Sequence, residues 1–212
     1  MKVRSGYVSN SSSSSFLVAY NERSEFDSFK EDRGYYELLK ALPPALRDAD
    51  DQQVAKFLRE LLEGMLIEYA DEYFKKAMLS LAPGDRPYVP CEFVSFLQRL
   101  GCDEETLEFA DDLRRSVEKE VDTVVRKHPS QYCRYYVDIS MMREDDFLYR
   151  YEDMVEMLVI QAQRELMRRF RTMAIMEIED STEAGAHLER SLLPRISESN
   201  GDGHYVTWVS HH

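Results

Sequence analysis

The sequence predicts an α+β fold, mostly helical, with a small sheet formed by strands from both termini. Three observations predict it. Apolar residues of the middle recur every three or four positions over long stretches. Short β-prone runs lie near the two ends, at 16–20, 172–180 and 204–210. Of the 212 residues 43% are hydrophobic, enough for a core, so one α+β domain over 1–212 is expected, with its helical middle at about 24–170.

Phe16-Leu17-Val18-Ala19-Tyr20 is the first strand former. Phe26, Phe29, Leu38 and Leu39 follow at roughly helical spacing, with Gly34 dividing the stretch and Pro43-Pro44 ending it. Residues 50–81 read as a long helix, because Val54, Phe57, Leu58, Leu61, Leu62, Met65, Leu66 and Tyr69 form one wide apolar stripe. Gly64 weakens that helix by about 1 kcal/mol relative to alanine without forbidding it. Ala82-Pro83-Gly84 opens a break that runs to Pro90.

Residues 91–100 predict a short helix, closed by Gly101 where a C-cap prefers glycine. Asp103 can cap the next helix, which runs to about Lys127 with Leu107, Ala110, Leu113, Val117, Val121 and Val124 on one face. His128-Pro129 ends it, and residues 131–140 fit strand or helix equally. Residues 144–170 form the last long helix, with Val155, Leu158, Val159, Ala162, Leu166 and Phe170 inward.

The period then drops to two at 172–180, where Met173 and Ile175 alternate with Ala174 and Met176. A polar stretch, 181–203, ends in the turn signal Asn200-Gly201-Asp202-Gly203. Tyr205, Val206, Thr207, Trp208 and Val209 are strand formers.

The formal charge is −13, from 27 basic and 40 acidic residues, which argues against non-specific binding to nucleic acid. The three cysteines, Cys91, Cys102 and Cys133, have no metal or redox spacing and one would stay unpaired. A reducing compartment is the simpler reading. The N-terminus has no apolar signal region, and no run is long enough to span a membrane. A soluble cytoplasmic protein without membrane contact is expected.

Residues 6–16 read GYVSNSSSSSF. Successive short hydroxyl side chains can point donors and acceptors, with backbone N–H groups, into one concavity suited to phosphate or carboxylate. Asn10, Ser11, Ser12, Ser13, Ser14 and Ser15 are therefore candidate ligand-binding residues. The glycines and lysine of a phosphate-binding P-loop are missing. The stretch resembles the opening of a group of uncharacterised bacterial and bacteriophage proteins, which begin GFVSNSSSSSF or close to it; here Tyr7 replaces the usual phenylalanine. Some of them also end in S-H-H, as Ser210-His211-His212 does here. The resemblance implies that the two ends of the chain are its signature, and it carries no catalytic role.

Four of the five histidines fall late, at 187, 204, 211 and 212. Imidazole moves protons near neutral pH and binds zinc-like metals. His204, His211 and His212 are the catalytic candidates. His187, Asp202, His211 and His212 are the candidate ligands of a divalent metal such as zinc, although their spacing matches no established metal motif. Arg164, Arg168, Arg169 and Arg171 crowd the end of the last long helix, where cations suit the helix dipole. Arg168 and Arg171 could also clamp a phosphate. No carboxylate spacing marks an acid–base pair.

Two function classes follow. The first is a non-enzymatic interaction protein, in which long amphipathic helices and the tyrosines of 132–151 dock a protein partner or a second copy of the chain. The second is a protein or enzyme that binds a small anionic ligand, phosphate- or nucleotide-like, through the serines, the arginines and the late histidines, with or without a metal.

Overall fold

A computed structural model describes residues 13–22, 49–79, 88–127, 144–179, 187–201 and 203–210. The architecture is α+β and mostly helical, with a three-stranded antiparallel sheet drawn from both ends of the chain. The strands are β1 (Ser13–Tyr20), β2 (Thr172–Glu179) and β3 (His204–Ser210). The helices are α1 (Asp51–Leu79), α2 (Glu92–Leu100), α3 (Glu104–Lys127), α4 (Glu144–Arg169) and α5 (Leu193–Glu198), the last preceded by a π-helical turn at Leu188–Leu192. The helical spacing expected around 26–39 and the ambiguous stretch 131–140 lie outside the described residues.

Two compact units form. One takes the described residues up to Leu61 together with those from Gln163 onward, and the other takes Leu62–Ala162.

In the first unit β1 is the central strand, in the order β2-β1-β3. Its pairing with β2 runs from Ser13↔Glu179 to Tyr20↔Thr172, and with β3 from Ser14↔Ser210 to Tyr20↔His204. Both edges of β1 are paired, and Phe16, Leu17, Val18, Ala19 and Tyr20 are all buried without alternation, so both faces of this strand are covered. β1 starts three residues before the apolar run that predicts it. Ladder partners on β2 hold Ser13, and partners on both β2 and β3 hold Ser14 and Ser15, in extended backbone, overriding the weak strand preference of serine. These three serines therefore belong to the strand rather than to a loop, and Ser14 and Ser15 are buried.

Asn200 guards the outer edge of β3. Its Nδ2 donates to the Val206 carbonyl at 3.0 Å, and its Oδ1 accepts from the Val206 N–H at 2.9 Å. The carboxamide thus imitates one residue of a neighbouring strand. Gly201 N–H donates to the His204 carbonyl beside it. On the outer edge of β2, Ala49 N–H donates to the Met173 carbonyl at 2.7 Å. Both edges are closed at the Tyr20 end of the sheet, which limits pairing with foreign strands there.

The stretch 181–203, read from sequence as polar connection, contains α5. Leu192 and Ile196 are fully buried four residues apart, and α5 lies against β3. Leu188, Leu192, Leu193 and Ile196 do recur at helical spacing, but the segment is short, contains Pro194 and is set among polar residues. The Asn200-Gly201 turn joins α5 to β3, not two strands.

In the second unit the helices follow the expected bounds closely. Gly101 has φ 87°, a left-handed conformation in which its N–H bonds back to the Gln98 carbonyl, and it closes α2. Asp103 Oδ1 accepts from the Thr106 N–H at 2.9 Å, capping α3. The apolar faces of α1 and α4 meet the expectation, with Leu62, Leu66, Tyr69, Val155, Leu158 and Val159 buried.

The polar contacts of this unit have one theme. Tyr69 Oη donates to Glu118 Oε1 at 2.6 Å, and Tyr73 Oη donates to Asp122 Oδ1 at 3.2 Å. Both pairs step by four residues in the same direction, so α1 and α3 run parallel where these rungs join them. On α3, Glu120 accepts from Tyr151 of α4 at 2.6 Å and also pairs with Arg150.

Candidate functional site

The sheet register decides which predicted site residues can meet. Ser14 lies beside Ser210, after which His211 follows in sequence. Tyr20 lies beside His204 on one side and Thr172 on the other. Six residues separate Ser14 from Tyr20, about 20 Å at strand rise. Arg168, Arg171 and His204 therefore belong to the Tyr20 end, and Ser13–Ser15 to the far end. The expected anion cradle of serines with arginines does not assemble from the described residues, because β1 is a rigid spacer between them. Asn10, Ser11, Ser12, Asp202, His211 and His212 lie outside the described residues.

His187 is exposed at the start of the π-helical turn. Among the described residues no three His, Cys, Asp or Glu side chains converge as a metal site would require.

His204 Nε2 lies 3.0 Å from Ser199 Oγ, which has the look of a base–nucleophile pair. Ser199 Oγ also lies 2.8 Å from the Ile196 carbonyl, an acceptor that competes with His204 for the hydroxyl proton.

At the Tyr20 end lies an open groove of about 710 Å³. Asn21, Glu22 and Met173 supply one side, and Met167 with the run Arg168–Arg171 supplies the other. The volume suits a small-molecule group. Asn21 builds the groove by holding three chain segments. Its Nδ2 donates to the Arg169 carbonyl at 3.1 Å, its Oδ1 accepts from the Arg171 N–H at 3.1 Å, and its N–H donates to the Gly203 carbonyl. The carbonyl left over at the end of α4 is thereby satisfied, and the chain turns into β2.

The arginines differ in what they already do. Arg168 holds Glu165 in a two-pronged pair, Nε at 3.0 Å and Nη2 at 2.5 Å. Glu165 is only 14% exposed, so withdrawing Arg168 would leave a mostly buried carboxylate without its cation. Arg169 donates to the Gly201 carbonyl at 3.1 Å, and its guanidinium stands 5.2 Å over the Phe170 ring. Arg171 is exposed, and its guanidinium has no partner among the described residues. Of the two arginines expected to meet a ligand, Arg168 is occupied within the chain and Arg171 is available.

The reactive-looking groups of the second unit are held inactive. Burial and the Glu118 carboxylate push the Tyr69 hydroxyl well above the ordinary tyrosine range. Burial pushes the Cys91 thiol up to about 12, so it stays protonated and weakly nucleophilic. Hydrogen bonding to Arg114 holds the Asp111 carboxyl below its usual range.

The chain matches no protein-family model, no curated protein and no solved structure. Function is therefore argued from the groove itself. Asn21 and Glu165 were invisible as site residues in the sequence. The spacing of Glu165 and Arg168, three apart on a helix, was the one signal that could have marked Arg168 as already paired.

Proposed function

We propose that this protein binds an anionic group of a small ligand in the groove beside Asn21, and that binding rather than bond-making is its activity there. The observation that carries this reading is Arg171, an exposed guanidinium without a partner among the described residues, set in a groove with two further arginines on a chain of net charge −13. Guanidinium forks match carboxylate and phosphate oxygens. We place the protein in the cytoplasm, in keeping with Cys91 and Cys102, which form no disulfide among the described residues; among these residues no helix is long and apolar enough to cross a membrane.

Ligands that bind only the folded state raise its stability with concentration. Thermal unfolding in rising inorganic phosphate and acetate is expected to show a saturable increase in Tm. Arg171→Gln is expected to abolish it, and Lys56→Gln, which removes an equally exposed charge on α1, to leave it unchanged. An identical response in all three proteins would overturn the reading.

A second reading is favoured by one observation in the other unit. Tyr149, Met157 and Ile160 are exposed and lie within one stripe of α4. Such a stripe suits a protein partner or a second copy. Light scattering across a hundredfold concentration range tests the self-association arm: Ile160→Glu should shift a dimer towards monomer, and a monomer at every concentration removes that arm.

A further inference from the structure

We infer that the groove selects a carboxylate carried on an apolar body over a phosphate, an inference that rests on the anion-binding reading above. The first ground is charge. Among the described residues the groove carries Arg168, Arg169, Arg171 and Glu22, and Arg168 holds Glu165. The formal charges of these five described groups sum to one positive charge. A monoanion balances it, whereas a phosphate monoester brings close to two negative charges.

The second ground is geometry. Arg169 is anchored to the Gly201 carbonyl and to the Phe170 ring, and the Arg171 guanidinium has no partner among the described residues. A planar fork closes on a planar carboxylate with two parallel hydrogen bonds. A tetrahedral phosphate keeps a further oxygen that this single fork does not reach.

The third ground is the flanking surface. Met167 is 47% exposed and Met173 is partly exposed, and both line the groove beside the arginines. Thioether side chains adapt to apolar bodies of varied shape. A ligand with a carboxylate head and a short alkyl or aryl body uses both surfaces, and each methylene buried there strengthens binding roughly fourfold.

Isothermal titration of the full chain with acetate, hexanoate, hexyl phosphate and inorganic phosphate tests the inference. Hexanoate is expected to bind most tightly, at least tenfold better than acetate and several-fold better than hexyl phosphate. Arg171→Gln is expected to weaken hexanoate roughly ten- to a hundredfold, the usual worth of a charged hydrogen-bonded pair. Met167→Ser is expected to narrow the gap between hexanoate and acetate. If hexyl phosphate matches or exceeds hexanoate, or if chain length has no effect, the selectivity inference is wrong and the anion groove survives. Absence of binding by all four removes the anion-binding reading itself.

Discussion

The two units solve the same problem, joining segments distant in sequence, with different chemistry. The sheet unit uses neutral carboxamides against main chain: Asn21 holds the ends of α4 and β1, and Asn200 closes the edge of β3. The helical unit uses phenols against carboxylates, with Tyr69, Tyr73 and Tyr151 each donating to an acid of α3. Carboxamides carry no titrating group, whereas carboxylates and phenols do. The difference is one of chemistry at the joint: Asn21 and Asn200 join main chain through neutral carboxamides, whereas the joints on α3 set phenols against acids.

The largest test of this contrast removes packing from the sheet. Phe16 is fully buried on the central strand, and Phe16→Ala is expected to cost about 3–5 kcal/mol in denaturant unfolding. Hydrogen exchange should then accelerate along all three strands. Loss of protection in β1 alone would break the picture of one cooperative sheet.

Next comes the phenol joint. Tyr69→Phe keeps the ring and leaves buried Glu118 without its shortest neutral donor, at a cost of about 1–3 kcal/mol. Asn200→Ala should cost slightly less, about 1–2 kcal/mol, because water can reach the Val206 groups once the carboxamide is gone. That variant should also self-associate more, since it opens a strand edge. An Asn200 variant as stable and as monomeric as the parent would show that the amide clamp is ornamental.

The smallest effect sharpens the comparison by pH. Asp111 has its folded pKa depressed by Arg114, so its contribution is present above the ordinary carboxylate value and is lost as pH falls below about 4. Tyr69 has its folded pKa raised, so its contribution is full below about pH 10 and is lost as pH rises beyond that. Exchange measured at both extremes should rise in the helical unit, at the amides of α1 and α3, before it rises in the strands. Simultaneous loss in both units would contradict the division between titrating and neutral joints.

Much of the fold was legible because its signals are local. Gly101 and Asp103 sit at helix ends that any chain would cap in this way. The change of period near residue 172 marks β2 within one residue of its observed end. The strand start at Ser13 was not legible, since it is ladder pairing with distant strands that holds these serines extended. α5 was missed because its helical spacing, Leu188, Leu192, Leu193 and Ile196, is short and set in an otherwise polar stretch. At the site, Arg171 was readable as a cation beside a strand. Its distinction from Arg168 was not, because availability depends on partners, and Asn21 acts through main-chain contacts that leave no compositional trace.

Arginine side-chain NMR gives the most direct test of the central claim, that Arg171 recognises an anion. With Nε–H signals assigned, titration with hexanoate should move Arg171 along a saturating curve, Arg169 less, and Arg168 hardly at all while it keeps Glu165. Equal, non-saturating movement of every exposed arginine would mean general ionic screening, and the groove would have no ligand of its own.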